Sequence, residues 1–341
     1  MKLITFTVPC YNSEAYMRKC VDSLLVGGDD VEIIIVNDGS KDKTGEIANE
    51  YAKNYPEIVK VIHKENGGHG SGLNAGLKAA EGLYFKIVDS DDWLEEEGLK
   101  KLLATIREHF ALNLLPDLYI TNFIYYHAAD DTFTVSKYDN KMKEGFIDWN
   151  KVKSFHFQHV IIMHALTYRT EKLRATGIVL PEHTFYVDNI YTFVPLPKLI
   201  NAYYLNVNLY KYFIGRADQS VNIVNCIERY KQQIRVMTIM YTAYTLKELK
   251  VLPKGLKKYM LHYLHTITMV TLMFSCGKNT KERRADVKEM WRTLNKHDKK
   301  LYRKIKYSGY PLTVAFLPYC MRPKIMRLAY DIINKKTKLG L

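Results

Sequence analysis

The feature that most constrains the fold is a regular alternation of short apolar runs and amphipathic segments over the first 95 residues. The apolar runs are rich in β-branched residues and predict strands at residues 3–8, 31–36, 59–63 and 84–88. The segments between them predict three helices. The first is capped by Asn12 or Ser13 and ends near residue 25, and the other two span 42–54 and 73–81. This alternation with short links indicates an α/β fold with a mostly parallel sheet.

Each predicted strand ends in a polar or glycine-rich turn. In chain order these turns are Pro9-Cys10-Tyr11-Asn12, Asp38-Gly39-Ser40, Asn66-Gly67-Gly68-His69-Gly70-Ser71-Gly72 and Asp89-Ser90-Asp91. Ligands of open α/β sheets bind outside the carboxyl ends of the strands. We therefore expect the four turns to share one rim that binds a ligand.

The last of these turns places three carboxylates within four residues, at Asp89, Asp91 and Asp92. Hard cations such as Mg²⁺ and Mn²⁺ prefer carboxylate oxygens, and often use one or two of them together with substrate phosphates. The alternative is a polar turn in which Asp91 or Asp92 caps the following helix, predicted at 97–110. The pattern alone leaves both interpretations open.

Taken together, the turns carry a resemblance to a known family. The segments Val8-Pro9-Cys10-Tyr11-Asn12, Val36-Asn37-Asp38-Gly39-Ser40, Asn66-Gly67-Gly68, Asn74-x-Gly76 and Asp89-Ser90-Asp91-Asp92 resemble the family 2 glycosyltransferases of the GT-A fold. The order and spacing match across residues 3–95, with weaker matches to about residue 222. The resemblance implies a GT-A-like nucleotide-binding sheet and an inverting sugar transfer from a nucleoside diphosphate sugar, with UDP-sugar as the expected donor.

The resemblance also implies a donor site. Asp38 would bind the nucleobase, the segment Pro9, Tyr11 and Asn12 would wall it, and the main chain at Gly67 and Gly68 would pass the nucleoside. Asp89 would reach the ribose or a metal-bound water, and Asp91 would ligate Mn²⁺ or Mg²⁺ at the diphosphate. One departure is Leu73, where family members often have Arg; His69 or Lys64 would then supply that polar contact.

The acceptor half resembles the family less closely. Residues 180–189 are similar to the segment in which an acidic pair opens a helix, here predicted at 189–200, with Val187 in place of the first acid. Asp188 keeps the second acid and would be the general base; its alternative role is to cap that helix. Glu182 is the second candidate base, and Glu182, His183 and Trp93 are expected acceptor contacts.

Two further segments carry polar residues of interest. Residues 209–221 resemble the family's strand and loop after the base, so Arg216 with Ser220 would close over the diphosphate; the alternative is a solvated Arg216. A run at 155–168 contains His156, His159 and His164 among apolar residues. Without metal-ligand spacing, we interpret these histidines as hydrogen-bonded core residues.

The net charge of +14 lies almost entirely in the last part of the chain. Residues 278–341 carry 18 Lys and Arg against 5 Asp and Glu, whereas residues 1–277 carry 32 against 31. Helices are predicted at 226–249, 254–275, 280–295 and 297–306, followed by an exposed apolar stretch at 310–319. This mixture favours an anionic membrane surface as partner; the alternatives are a solvated charged face or nonspecific nucleic-acid attraction.

The five cysteines form no CxxC pair, which argues against disulfides and structural zinc. The N-terminal residues do not have the pattern of a signal peptide, and no apolar run reaches about 18 residues. We therefore expect a cytoplasmic enzyme that associates peripherally with the inner face of the cell membrane.

These observations predict a GT-A-like domain at 1–222, with a nucleotide-sugar half at 1–95 and an acceptor half at 96–222, and a helical basic module at 223–341. The expected partners are a nucleoside diphosphate sugar and a glycan or lipid-linked cell-envelope acceptor, with no specific nucleic acid; an oligomer is compatible with the sequence. Two other classes stay open: a sugar-phosphate nucleotidyltransferase and a noncatalytic basic adaptor.

Overall fold

In the computed structural model, the first four strands are parallel neighbours in the order β3-β2-β1-β4. Their bounds are Ile4–Cys10 for β1, Val31–Asp38 for β2, Val59–Lys64 for β3 and Tyr84–Ile87 for β4. Every residue of β1, β2 and β4 is buried, as expected of parallel strands covered on both faces. The predicted α/β fold with parallel strands in this part of the chain is confirmed.

The helices after these strands are α1 at Met17–Leu25, α2 at Thr44–Asn54 and α3 at His69–Ala79. Neither Asn12 nor Ser13 caps α1, because the N-cap residue is Tyr16. Instead, the Ser13 hydroxyl lies 2.8 Å from the Ser90 hydroxyl, and the Ser13 N–H donates to Thr44 Oγ1 at 2.7 Å. Ser13 thus links the loop after β1 to the first residue of α2 and to the loop after β4.

The sheet continues beyond β4 with antiparallel strands, in the order β4-β9-β6-β10-β5, while β7 pairs with β6 and β8 with β10. These strands are β5 at Trp93–Leu94, β6 at Leu118–His127, β7 at Thr132–Ser136, β8 at Gly145–Phe146, β9 at Leu166–Arg169 and β10 at Ala202–Ile214. The helices of this part are α4 at Glu96–Ala111, α5 at Thr170–Ala175 and α6 at Asp188–Phe193. The helix predicted over 189–200 is shorter than expected, because Pro195 and Pro197 cannot continue it.

The structure describes residues 1–128, 130–156, 159–214 and 223–337. The chain divides into two compact units, Met1–Asp148 with Ile161–Phe213 and Trp149–Val160 with Ile214–Leu341. The predicted domain boundary at residue 222 lies outside the described residues.

The second unit is helical. Its helices are α7 at Ile223–Glu228, α8 at Tyr230–Ala243, α9 at Leu246–Lys250, α10 at Lys254–Cys276, α11 at Lys281–His297, α12 at Lys299–Lys306, α13 at Gly309–Ala315 and α14 at Arg322–Thr337. The single helix predicted over 226–249 is divided into three, and Thr245 caps the last of them in a reciprocal pair with Glu248. The stretch predicted as exposed at 310–319 is partly buried, at Pro311 and Val314. Among the described residues, no helix combines the length and the apolar character that crossing a membrane requires.

Candidate active site

Asp38 ends β2 and holds the glycine-rich turn against the strand. Its buried carboxylate accepts hydrogen bonds from the N–H groups of Gly67 at 2.9 Å and Gly68 at 2.7 Å, and from Lys64 Nζ at 2.7 Å. A carboxylate offers about four acceptor positions, so three internal donors leave room for one more. The structure therefore brings Asp38, Gly67 and Gly68 together, as predicted for the rim of the sheet.

The glycine-rich turn also contacts the segment before α6. Gly68 has a φ of +81°, and a Cβ at that position would lie 3.1 Å from His183 N. A Cβ on Gly70 would lie only 2.6 Å from Pro181 O. The His183 N–H donates to Gly67 O at 2.6 Å. These glycines are thus required because two backbones approach each other closely.

Side chains fix the same contact. Asn74 of α3 donates from Nδ2 to Leu180 O at 2.8 Å and accepts from Leu180 N at 3.0 Å. The Ser71 hydroxyl donates to Glu182 Oε1 at 2.7 Å. Glu182 and His183, which the sequence analysis assigned to the acceptor, therefore lie against the turn assigned to the donor.

Asp89, His69 and Asp188 form an electrostatic cluster. His69 Nε2 lies 2.8 Å from Asp89 Oδ1. Burial raises the pKa of Asp188 to about 6; His69 opposes this shift and the charge of Asp89 adds to it. Asp188 is the first residue of α6 and not its N-cap, which is Val187, and the Asn189 side-chain amide donates to Asp188 Oδ1 at 3.3 Å. The segment around Asp188 is thus brought to the end of β4.

His69 and Asp89 influence each other's charge. Burial alone would lower the pKa of His69, but the charge of Asp89 and the hydrogen bond to it raise that pKa above its usual value. Burial would likewise raise the pKa of Asp89, and His69 lowers it below its usual value. The pair therefore favours a protonated His69 beside a deprotonated Asp89.

Asp92 has a structural role that the sequence analysis missed. Its buried carboxylate accepts from the Tyr210 hydroxyl at 2.6 Å and from the Phe213 N–H at 2.8 Å. The Tyr210 hydroxyl also accepts from the Asp89 N–H at 3.1 Å. Asp92 thus ties the turn after β4 to the end of β10. Burial raises its pKa, and the nearby charges of Asp91 and Asp89 add to that shift.

The capping alternative for this turn is wrong. Helix α4 begins at Glu96, and its N-cap residue is Glu95, which makes no side-chain capping bond. Asp91 and Asp92 precede that position and do not cap the helix. Asp91 lies half-buried in the turn.

His164 differs from the hydrogen-bonded core residue that we expected. Among the described residues, neither of its buried ring nitrogens has a hydrogen-bond partner. Its Nε2 lies 3.8 Å from Asp92 Oδ2 and 4.0 Å from Asp89 Oδ2, and its ring stacks on Tyr212 with centroids 4.3 Å apart. Burial lowers its pKa to about 4, so the imidazole is neutral near pH 7 and keeps a lone pair.

These groups fit a divalent cation. The ligand atoms of Asp89, Asp92 and His164 all lie within 4.8 Å of one another. Carboxylate oxygen and neutral imidazole nitrogen are ordinary ligands of divalent metals. Both oxygens of Asp92 already accept hydrogen bonds. The fit to a cation therefore depends mainly on Asp89 and on the His164 imidazole, which has no hydrogen-bond partner among the described residues.

Lys86 is a second residue that the sequence analysis missed. It lies fully buried in β4, and its Nζ donates to His164 O at 2.7 Å and to Leu166 O at 3.2 Å. Burial lowers its pKa to about 7. Lys86 therefore holds the His164 segment against β4. The sequence signal for this role was the position of a lysine inside an otherwise apolar strand.

The loop after β1 carries Pro9, Tyr11 and Asn12. Pro9 is buried in β1, whereas the Tyr11 side chain is 51% exposed at the rim. Asn12 has a φ of +50°, its N–H donates to Ser40 Oγ at 3.1 Å, and its Oδ1 accepts from Lys41 N at 2.9 Å. The loops after β1 and β2 are thus joined, with the Tyr11 ring available to a ligand.

Trp93 belongs to an aromatic cluster. Its ring lies 5.4 Å from Tyr126 and 6.1 Å from Phe213 between centroids, and Lys19 Nζ lies 3.2 Å from its centroid. Arg216 and Ser220, predicted to close over the diphosphate, lie outside the described residues.

The chain is similar in sequence to known glycosyltransferases. The family model described as Glycosyl transferase family 2 matches residues 5–166. Glycosyltransferase GlyA of Streptococcus pneumoniae serotype 4 is 34% identical over 226 residues, which cover 64% of this chain and 31% of GlyA. The minor teichoic acid biosynthesis protein GgaB of Bacillus subtilis is 38% identical over 105 residues, which cover 30% of this chain and 12% of GgaB. The chain thus spans less than a third of the length of either relative.

Solved structures are similar in fold over almost the full length of the chain. Residues 1–349 of S. aureus TarS, in complex with UDP-GlcNAc, align with a TM-score of 0.64 and 20% identity, covering 96% of this chain and 92% of that chain. At this level of identity the likeness concerns the fold, and it confirms the predicted GT-A-like architecture with a helical C-terminal part.

Proposed function

We propose that this chain, which belongs to glycosyltransferase family 2, transfers one sugar from a nucleoside diphosphate donor to a hydroxyl of a cell-envelope acceptor, with inversion. The observation that carries the proposal is the cluster of Asp188 with the hydrogen-bonded pair His69 and Asp89. It joins a candidate base from the acceptor half to the carboxylates at the end of β4. A single displacement needs these two groups at one site.

The donor would bind along the rim of the sheet. Asp38 has one acceptor position left after its three internal hydrogen bonds, which suits the imide N–H of uracil. Tyr11 would cover the base, beside Pro9 and Asn12, and the main chain at Gly67 and Gly68 would pass the ribose. A uridine donor is supported by the TarS complexes with UDP and UDP-GlcNAc.

Asp188 would act as the general base. It would take the proton of the acceptor hydroxyl while that oxygen forms a bond to the anomeric carbon. The bond from this carbon to the diphosphate oxygen breaks on the opposite face, and the nucleoside diphosphate leaves. A carboxylate pKa near 6 leaves most Asp188 groups deprotonated at pH 7 while keeping useful basicity.

Asp89 and Asp91 would hold a divalent cation, Mn²⁺ or Mg²⁺, with His164 beside them. When bound, such a cation supplies positive charge that stabilises the leaving diphosphate. Arg216 and Ser220 would add hydrogen-bond donors to the same phosphates. His69 would keep Asp89 oriented through its hydrogen bond.

The acceptor proposal is a glycan or a lipid-linked glycan of the cell envelope. Its support is the identity shared with GgaB, a minor teichoic acid biosynthesis protein. Glu182, His183 and Trp93 would contact this acceptor. The basic excess at 278–341 favours a position at an anionic membrane surface, where lipid-linked acceptors are held.

The decisive experiment is donor turnover by the purified chain with UDP-, dTDP-, GDP- and CDP-sugars, each with Mn²⁺, Mg²⁺ or EDTA. We expect release of UDP that requires a divalent cation and that Asp91→Ala abolishes while the variant stays folded. Release of pyrophosphate from a nucleoside triphosphate would instead indicate a nucleotidyltransferase. The proposal would be contradicted if the chain showed no turnover of any donor and also no binding of UDP by calorimetry.

A further inference from the structure

A recess of about 280 Å³ lies within the helical unit. Residues of α10 to α13 and the start of α14 line it, and four of them are basic: Lys288, Arg292, Lys306 and Arg322. None of the described residues that line it is acidic. The recess thus concentrates positive charge in a concave site that the proposed sugar transfer does not use.

Arg322 is the most informative of these residues. Its side chain is only 8% exposed, its Nε donates to Leu317 O at 3.0 Å, and its guanidinium lies 4.0 Å from the ring centroid of Tyr319. Within the described ranges, no carboxylate lies within ion-pair distance of it. Burying a charge without a counter-charge is costly, so an anion in the recess would relieve that cost.

The acidic residues of α11, and Asp298 between α11 and α12, neutralise only one cation of the recess. Each has another partner: Glu282 pairs with Lys231, Asp286 with the Tyr230 hydroxyl, Glu289 with Arg292, and Asp298 with the backbone N–H of Leu301. Glu289 therefore offsets Arg292 alone. The charges of Lys288 and Arg322 remain for a ligand, together with that of Lys306, whose Nζ donates to the neutral Tyr302 hydroxyl at 2.9 Å.

We propose that this recess binds a phosphate ester. Ammonium and guanidinium groups form charge-assisted hydrogen bonds with phosphate oxygens. The buried side chains of Pro311, Val314 and Trp291 line the same recess and give the carbon skeleton of an ester an apolar wall. Its volume suits one small phosphate ester and not a nucleic-acid strand.

Two sources share this chemistry: a soluble phosphate ester of a sugar or polyol, and the headgroup of an anionic phospholipid. The proposal does not depend on the sugar transfer, since both tests measure binding to the full chain. Calorimetry would use glycerol 3-phosphate and inorganic phosphate. Flotation would use vesicles of phosphatidylcholine with or without phosphatidylglycerol.

The test variants are Lys288→Gln and Lys306→Gln, which leave the buried Arg322 in place. The matched control is Lys300→Gln, an exposed lysine of α12 that does not line the recess. We expect each recess variant to weaken glycerol 3-phosphate binding about five- to tenfold and the control to change it less than about twofold. Donor turnover by the same variants, measured in parallel, separates failure of this proposal from failure of the proposed enzyme.

The outcomes are distinct. Loss of vesicle binding in the recess variants, with the control unaffected, would support the site and assign it to a lipid headgroup. Binding of glycerol 3-phosphate that the recess variants weaken, without vesicle binding, would support a soluble ester. No binding of any phosphate probe, or equal weakening by Lys300→Gln, would overturn the proposal and indicate only a diffuse basic surface.

Discussion

The rim of the sheet and the recess of the helical unit both concentrate charge, but they treat it differently. At the rim, the carboxylates of Asp38, Asp89 and Asp92 each have hydrogen-bond donors from the protein. In the recess, the charges of Lys288 and Arg322 have no carboxylate partner among the described residues. The first arrangement fixes orientation in advance, whereas the second depends on a ligand for its counter-charge.

This difference separates two kinds of site. A reacting centre gains from groups held in place before the substrate arrives, because little reorganisation then remains in the transition state. A binding recess needs only complementary charge and shape. Changes at the rim should therefore affect turnover and folding strongly, and changes in the recess should affect ligand binding with little effect on folding.

The largest effect should come from Asp188→Asn. This change keeps the shape of the side chain but removes the proposed base, so we expect kcat to fall about 10²- to 10⁴-fold with donor affinity nearly unchanged. Steady-state kinetics and donor calorimetry would measure both. Asp29→Asn, at an exposed position, is the control. Wild-type kcat in Asp188→Asn would remove Asp188 from the mechanism.

Lys86→Met should change how stability depends on pH. Burial lowers the pKa of Lys86 to about 7 in the folded state, so between about pH 7 and 10.5 the unfolded chain binds the extra proton. Wild-type stability should gain up to about 1.4 kcal/mol per pH unit across this window, and the variant should lack that gain. Urea unfolding at several pH values would show it, with Lys101→Met as the exposed control. Parallel pH profiles would contradict a buried, neutral lysine.

Tyr210→Phe tests the link between the turn after β4 and β10. The change leaves the Asp92 carboxylate and the Asp89 N–H without the Tyr210 hydroxyl, so we expect a loss of about 2–3 kcal/mol in the free energy of unfolding. Tyr191→Phe is a matched control, because the buried Tyr191 hydroxyl has no hydrogen-bond partner among the described residues. Equal losses in the two variants would show that the hydrogen bonds of the Tyr210 hydroxyl do not stabilise the fold.

Gly68→Ala and Gly177→Ala separate backbone strain from close approach. Both glycines have positive φ, +81° and +72°, but a Cβ on Gly177 would meet no atom of the described residues within 4 Å. We expect Gly177→Ala to cost about 1 kcal/mol of stability and Gly68→Ala about 1–3 kcal/mol more, because His183 must move. Only Gly68→Ala should also weaken donor binding. Denaturant unfolding and donor calorimetry would measure the pair, and similar losses would argue against the close contact.

The smallest effect should come from Lys288→Gln measured as stability. Removing one of several like charges at the surface should raise the free energy of unfolding by at most about 0.5 kcal/mol at low salt, and salt should cancel the gain. Urea unfolding at two salt concentrations would measure it. A large loss of stability would show that Lys288 has a structural role. The recess would then not differ from the rim in its effect on folding.

The sequence predicted much of the rim because its residues lie at strand ends in a recognisable order. Asp38, the glycine-rich turn and the carboxylates after β4 follow directly from that order. The hydrogen bond between Asp92 and Tyr210 joins residues about a hundred positions apart, and so does the electrostatic interaction of Asp188 with His69 and Asp89. Local sequence patterns could not reveal either of them.

Other features could not be predicted because the sequence does not show which side chains are buried together. The sequence predicts a hydrogen-bonded core residue at His164, but its ring nitrogens have no hydrogen-bond partner among the described residues. That outcome depends on which side chains surround it in three dimensions. In the helical unit, the charge count located a basic region but not the recess. Pro311 and Val314 belong to a stretch interpreted as exposed, and their burial beside the cations is what gives the recess its wall.

The contact between the glycine-rich turn and the segment before α6 bears on how the chain is made. The turn is held on one side by Asp38 and on the other by backbone near His183, which the ribosome adds more than a hundred residues later. A nascent chain that ends before residue 180 can pair its parallel strands, yet it lacks one of the two supports of that turn. We therefore expect the glycine-rich turn to reach its final conformation only after the polypeptide that supplies its second support has emerged.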